Sequence, residues 1–271
     1  MSLITITRSI GSGGMQVARR VADELKFELY DDRRLQEEAI KMGIPEDLKS
    51  LDEKAPGLFD RILTHKPALY TDLMEAVVYE VAHRGQGIIL DHGAHMLLQD
   101  FGCALHVRIN ASEAFRIQHL MDQQDINLEV AEKIIHKNDS ARRDFLQFAF
   151  HIEWNDPSLY DIIIKRDKLS ADWVAKLIVE VAQSEEVKEC SLTALEAMER
   201  LSLLKKIKAA ILKNNFSPID FHIDILETDV AHITGWTHSK QQKDLLLKTV
   251  EGVPGISDVK SNVFVVKTFS E

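Results

Sequence analysis

Short, strongly apolar runs alternate along the chain with stretches where apolar residues recur every three or four positions. The runs are LITIT (3–7), FELYD (27–31), GIIL (87–90), ALHVRI (104–109) and DIIIK (161–165). Several are continuously apolar, the pattern of strands buried on both faces of a parallel sheet. Between them, Ala18, Val21, Ala22 and Leu25 form one apolar helix face. A second helix covers 71–85 and ends at Gly85, which can cap it. A third runs over 127–150, with a break expected near Asn138 and Asp139, and a fourth over 170–183. Strands separated by helices imply crossover connections and a doubly wound α/β domain. Residues 40–68 hold three of the six prolines and many charges. They are too long for a simple connection and are read as an arm, a lid or a helical insertion, most simply a solvated surface excursion.

The pattern changes after residue 190. A helix across 191–215 precedes strand-like segments at 219–227 and 229–237, a helix at 239–252 and a strand at 256–268. This α-β-β-α-β order predicts a small α+β module. His222 and Asp224 alternate with Ile223 and Ile225, as in a sheet with one open face. The domains are therefore expected at 1–190 and 199–271.

Charge sharpens that division. The net charge is −10, from 33 Lys and Arg against 43 Asp and Glu. Residues 199–271 hold 10 basic and 9 acidic residues, whereas residues 1–198 hold 23 and 34. So acidic a chain is not expected to bind bulk nucleic acid, which demands a basic face. No apolar run approaches the roughly 20 residues of a membrane span. MSLITITRSI does not read as a signal peptide. Cys103 and Cys190 are too few for a disulfide framework. These features set the expectation of a reduced, cytoplasmic protein. In the helix at 191–215, Lys205, Lys206, Lys208 and Lys213 lie opposite Leu204, Ile207, Ile211 and Leu212. Such a helix can meet an anionic membrane, but packing of its apolar face on the small sheet is the plainer account.

The candidate chemistry lies between the first strand and the first helix. Gly11, Ser12, Gly13 and Gly14 stand where backbone N–H groups can converge on an anion, aided by the partial positive charge of the helix N-terminus. The phosphate-loop signature continues with Gly-Lys and a hydroxyl residue; here the chain reads Gly14, Met15, Gln16. The competing reading is a glycine-rich turn and nothing more. Asp91 and His92 follow the third strand at the edge where open α/β sheets bind ligands. No Ser/His/Asp or Cys/His triad stands out. Asp91, His92 and His95 lie too close along the chain to be read as a metal site, so no resident metal is expected.

The run ITITRSIGSGGMQVARRVADELKFELYDD resembles the start of the cytidylate kinase-like family, a branch of the nucleoside monophosphate kinases in which G-S-G-G replaces the lysine loop. LHVRINASEAFRIQHL (105–120), NDSARRDFLQF (138–148) and NDPSLYDIIIKRDKLS (155–170) resemble it further. The resemblance covers roughly 1–185. It implies a three-layer fold like that of the P-loop kinases and an activity that transfers phosphate from ATP, with Mg²⁺, to a nucleoside monophosphate such as cytidylate. It implies that Gly11, Ser12, Gly13 and Gly14 cradle donor phosphates, with Arg8 and Gln16 as flanking nucleotide-binding positions. Arg116, Asp139, Arg142 and Arg143 would belong to the catalytic lid region, and Asp31 would lie near the acceptor nucleotide; Asp91 and His92 are taken as substrate-binding candidates from their place at the ligand edge of the sheet. The chain departs from the pattern at Met15 and Gln16, where a basic then an acidic residue is usual. It departs again at Asp91 and His92, where Gly-Arg is usual, and at His119, a second basic position of the lid helix. Replacing arginine by histidine removes a fixed fork of donors and makes the charge pH-dependent. The departures leave a second class of function open, a nucleotide-binding or regulatory protein without turnover.

The segment DVAHITGWTHSKQQKDLLLKTVEGVPGISDVKSNVFVV resembles a BON domain, in which Gly235 ends a strand and Gly252 and Gly255 serve a helix cap and a turn. That resemblance implies a protein, lipid or small-ligand partner for the module. Oligomer formation is compatible with either class.

Overall fold

The computed structural model describes residues 3–42, 67–187, 189–217, 220–226 and 229–266. Most of the segment expected as an arm or lid, residues 43–66, lies outside the described residues. The described residues form two compact units. One takes residues up to Gln36 with Arg84–Leu192; the other takes 37–42, 67–83 and Thr193 onward.

The chain begins β1 (Leu3–Arg8), α1 (Gly14–Leu25), β2 (Leu29–Tyr30), α2 (Asp32–Lys41), α3 (Pro67–Ala82), β3 (Gly87–Leu90) and α4 (Ala94–Leu97). It continues β4 (Ala104–Asn110), α5 (Glu113–Gln124), α6 (Leu128–Phe150), β5 (Ile162–Lys165) and α7 (Ala171–Ala182). The five strands make one parallel sheet in the order β2-β3-β1-β4-β5. Each apolar run of the first unit is a strand. Because β1 lies between β3 and β4, the crevice of the sheet opens at its C-terminal end, the edge where such folds place ligands.

Register explains the core. Ile4 pairs with Ile88 and Leu105, and Ile6 with Leu90 and Val107. One face is thus aliphatic, and Val17, Ala18 and Val21 of α1 and Val174, Ala175 and Ile178 of α7 pack on it. Each such buried valine or isoleucine contributes about 1.5–3 kcal/mol. The other face differs from the sequence expectation. There β1 and β4 bury Thr5, Thr7, His106 and Arg108. Thr5 Oγ1 and His106 Nδ1 stand 2.8 Å apart, and Thr7 Oγ1 and His95 Nδ1 3.3 Å. Arg108 donates to the Trp154 carbonyl at 2.6 Å and to Asn155 Oδ1 at 2.7 Å, below the rings of Trp154 and Tyr160. These bonds satisfy part of the buried polar surface, while Arg108 Nε, His95 Nε2, Trp154 Nε1 and the Tyr160 hydroxyl have no hydrogen-bond partner among the described residues.

Two expectations are corrected. The helix over 127–150 does not break at Asn138 and Asp139; α6 is continuous. Asn138 Oδ1 accepts from Arg142 Nε one turn on, and Asp139 accepts from Arg116, so neither side chain competes for the helix backbone. The cysteines, expected reduced, form a disulfide, Cys103–Cys190, across 87 positions.

The second unit contains α3 and then α8 (Leu192–Lys213), β6 (Phe221–Leu226), β7 (Val230–Thr237), α9 (Lys240–Glu251) and β8 (Asp258–Val265). β6 runs antiparallel to β7, and β7 parallel to β8. This is the expected α-β-β-α-β order. Ile207 and Ile211 of α8 join Ile223, Ile233, Leu246 and Val250 in its core. Lys205 pairs with Asp72 at 3.0 Å and with Glu75, and Lys206 with Glu80 at 2.7 Å. The packing account of α8 is the one observed, and two of its lysines are held by α3. Among the described residues, no helix is long and apolar enough to cross a membrane.

Candidate functional site

After β1 the chain turns sharply through Ser9–Gly14. Ser9 N donates to the Ile109 carbonyl and Ser12 N to the Ser9 carbonyl, both at 3.1 Å. Gly11 and Gly13 take the left-handed conformation, at φ 77° and 72°. A Cβ at Gly11 would lie 2.6 Å from the Arg116 carbonyl oxygen, and one at Gly13 would lie 1.4 Å from Arg166 Nη1. Glycine is thus required both by backbone conformation and by the close approach of arginine.

Alternate carbonyls of this segment are each held by a different arginine. Arg142 Nη1 donates to the Arg8 carbonyl at 2.8 Å, Arg116 Nε to the Ile10 carbonyl at 2.7 Å, and Arg166 Nη1 to the Ser12 carbonyl at 2.7 Å. With those carbonyls fixed, the N–H groups of Gly11, Gly13 and Gly14 donate to no backbone carbonyl among the described residues. Gly14 also opens α1, whose first N–H groups have no partner within the helix. Backbone N–H groups at a helix N-terminus are suited to an anion.

Two of the three arginines carry a carboxylate partner. Arg142 clasps Asp91 with two bonds, at 2.7 and 2.8 Å. Arg116 clasps Asp139 likewise, at 2.8 and 2.7 Å. Asp91 also accepts from Arg8 N at 3.1 Å and lies 3.2 Å from Arg8 Nε. Burial would raise the Asp91 carboxyl, but the charge and bonds of Arg142, then Arg8, hold it far below the usual carboxylate range. Burial likewise opposes the Arg142 charge, yet Asp91 pushes this guanidinium above its ordinary value.

Asp91 and His92 are left-handed at φ 65° and 53°, followed by Gly93 at 71°. Consecutive non-glycine residues of this kind carry strain and persist only when neighbours fix them. The Arg8–Arg142 clamp fixes Asp91, and Asp32 Oδ1, 2.5 Å from His92 Nε2, fixes the next residue. Burial depresses the His92 imidazole, but Asp32 outweighs it and the net direction is upward.

The sequence-derived residues separate into groups. Arg8, Gly11, Ser12, Gly13, Gly14, Asp91, Arg116, Asp139 and Arg142 come together around the turn. His92 is adjacent but paired to Asp32. Asp31 caps α2, accepting from Arg34 N at 3.0 Å. Gln16 is half-buried in the first turn of α1, and Arg143 is exposed on α6. Met15 packs against the apolar core. Among the described residues, no group of three or more His, Cys, Asp or Glu side chains could hold a metal ion.

Sequence reasoning missed Arg166. It lies in the short turn after β5, is 7% exposed, and lies 5.6 Å over the Phe115 ring. A basic residue just past an apolar strand, at the ligand edge of a parallel sheet, was the available signal.

Known proteins resemble the chain over this first part. The sequence pattern of the Cytidylate kinase-like family matches residues 3–168. A cytidylate kinase of Sulfurisphaera tokodaii is 27% identical over 179 residues, 65% of this chain and 92% of that protein. The solved structure of an uncharacterized protein from Eubacterium ventriosum covers 66% of this chain and 97% of its own, with 23% identity and a TM-score of 0.53. Shikimate kinase from Acinetobacter baumannii covers 69% and 96%, with 15% identity and a TM-score of 0.41.

Proposed function

We propose, for a chain that belongs to the cytidylate kinase-like family, that the Ser9–Gly14 turn binds a nucleoside triphosphate and that the first unit transfers its terminal phosphoryl group to a nucleoside monophosphate. The observation that carries this reading is the glycine turn whose carbonyls at 8, 10 and 12 are held by Arg142, Arg116 and Arg166. Phosphoryl transfer needs positioning and electrostatic stabilisation more than covalent chemistry. A turn with its N–H groups unengaged supplies the first. Gly11, Ser12, Gly13 and Gly14 hold the phosphates, with Arg8 and Gln16 flanking them. Mg²⁺ bound with the triphosphate would supply neutralisation of phosphate-oxygen charge; among the described residues no His, Cys, Asp or Glu cluster is built to hold it, so the phosphates themselves would carry it. Arg116 and Arg142 act as positioning residues, since each braces the turn while paired to Asp139 or Asp91. Exposed Arg143 is left to approach the transferred group. Asp31, Asp91 and His92 border the acceptor, for which cytidylate is the first candidate by family.

We read residues 1–190 as the nucleotide-binding domain and 199–271 as a BON-like module that binds a protein, lipid or small ligand.

A second reading has its own support. The Asp91–Arg142 and Asp139–Arg116 pairs neutralise two arginines of the lid region, which favours nucleotide binding without turnover. Calorimetric titration with ATP, CMP and CDP in Mg²⁺, then a coupled turnover assay in the same buffer, separates the two. Binding with turnover supports the kinase, and binding without it the regulatory protein. Absence of binding by any nucleotide rejects both.

A further inference from the structure

The turn contains buried polar atoms without partners. Ser12 Oγ, His119 Nε2 and Arg166 Nε are inaccessible to solvent and bond to nothing among the described residues. Two of them lie together beside Gly13: the position a Cβ would take there lies 1.4 Å from Arg166 Nη1, 2.7 Å from Arg166 Cζ and 3.2 Å from His119 Nε2. Ser12 is the residue before Gly13 in the same turn, and its carbonyl accepts from Arg166 Nη1. Buried polar groups in folded proteins are almost always satisfied, so a cluster of unsatisfied ones calls for a missing partner.

Charge identifies that partner. Arg142 and Arg116, the other two arginines on the turn, are each neutralised by a carboxylate. Arg166 has no carboxylate partner among the described residues. Its one hydrogen bond goes to the neutral Ser12 carbonyl, and its acidic neighbour Asp167 instead accepts from Ser112 N and pairs with Lys165. A buried guanidinium without an anion is costly. The ligand that relieves this cost is an anion with several acceptor oxygens, able to receive Arg166 Nε–H and the Ser12 hydroxyl together with the free N–H groups of the turn.

We infer that Arg166 supplies the cation missing from the Gly14-Met15-Gln16 sequence, and that it pairs with a phosphate group bound on the Gly11–Gly14 turn. The inference rests on the nucleotide-binding reading and adds to it the residue that carries the charge. The cation comes from the turn after β5, more than 150 positions along the chain, rather than from the start of α1. Ser12 and His119 line the same phosphate position.

The test uses the full-length protein with pyrophosphate, ATP and adenosine as probes, titrated against the parent chain, Arg166→Lys and Arg166→Gln. The parent is expected to bind pyrophosphate and ATP. Arg166→Gln, which keeps a planar donor but loses the charge, is expected to weaken both by about 10- to 100-fold, the range of a charge-assisted hydrogen bond. Arg166→Lys should fall between, and adenosine should not discriminate among the three. A second measurement avoids dependence on variant folding. In ¹⁵N-arginine spectra of the parent, assigned through Arg166→Lys, the Arg166 Nε–H resonance should shift as pyrophosphate is added. Equal pyrophosphate affinity in parent and Arg166→Gln, or an unmoved Nε–H resonance at saturation, overturns the inference and leaves nucleotide binding standing. Pyrophosphate binding that needs Arg166, with no response to ATP, keeps the inference and rejects the nucleotide reading. A parent that binds neither probe rejects both.

Discussion

Arg142 holds Asp91 by Nη1 and Nη2 while Nη1 also holds the Arg8 carbonyl, so a side chain of α6 ties the end of β3 to the end of β1. The clamp keeps Asp91 in its left-handed conformation and sets the first carbonyl of the glycine turn. Asp91→Asn keeps the volume and removes the charge, leaving the partly buried Arg142 beside a neutral group. The expected loss of stability is about 3–5 kcal/mol, read as a lower urea midpoint. Nucleotide affinity should fall with it. An unchanged midpoint would mean that the clamp does not hold the turn.

His95 is buried against Tyr160, with ring centroids 4.9 Å apart. Burial, then the nearby charge of His106, lowers its imidazole from 6.5 to about 4. The unfolded chain therefore binds a proton between those values that the folded chain refuses. Stability is fully present above pH 6.5 and is lost as pH falls toward 4, by about 3 kcal/mol. His92, raised by Asp32, has the opposite sign and acts above pH 6.5, outside this window. His95→Phe keeps the ring stack and removes the titration. Urea midpoints at pH 7, 5.5 and 4.5 should decline less steeply for the variant, and parallel declines would assign the acid sensitivity elsewhere.

The Cys103–Cys190 bond closes a long loop within the first unit. Constraining the unfolded chain in this way stabilises the fold by about 2–4 kcal/mol. Dithiothreitol should lower the melting temperature of the parent but not of a Cys103→Ser/Cys190→Ser variant. A parent indifferent to reductant would show that the two thiols are not bonded in solution.

The parallel sheet was legible because its strands are apolar runs, and the glycine turn because few other residues follow a buried strand so tightly. The arrangement that makes the turn a site was not legible. Which arginine meets which carbonyl depends on α5, α6 and the turn after β5 arriving together, and no local spacing encodes that. Arg166, within Lys-Arg-Asp, reads as surface. Asn138 and Asp139 read as helix breakers until Arg142 and Arg116 are seen to engage them. Two cysteines 87 positions apart carry no spacing signal of a bond. The buried polar face of β1 and β4 was hidden for a related reason: strands read as apolar runs buried on both faces give no sign that Thr5 and Thr7 meet His106, Arg108 and His95 across the sheet.

The ion pairs between α3 and α8 give a prediction for the second unit. Glu80 accepts from Lys206 at 2.7 Å and from the Ser202 hydroxyl at 3.1 Å, and lies 3.5 Å from His83 Nε2. The bond to His83 lowers its carboxyl most; burial opposes this, and Lys206 adds to it, leaving the group at about 2. A carboxyl depressed from 4.5 contributes stability that is present above pH 4.5 and lost as pH falls toward 2. Glu80→Gln removes that titration while preserving size, and should cost on the order of 2 kcal/mol at pH 7. The difference between parent and variant should shrink steadily from pH 5 to pH 3, because the parent loses by protonation what the variant lost by substitution. Guanidinium melts at pH 7, 4 and 3 measure it, and a gap that stays constant with pH would assign the effect to packing rather than to charge.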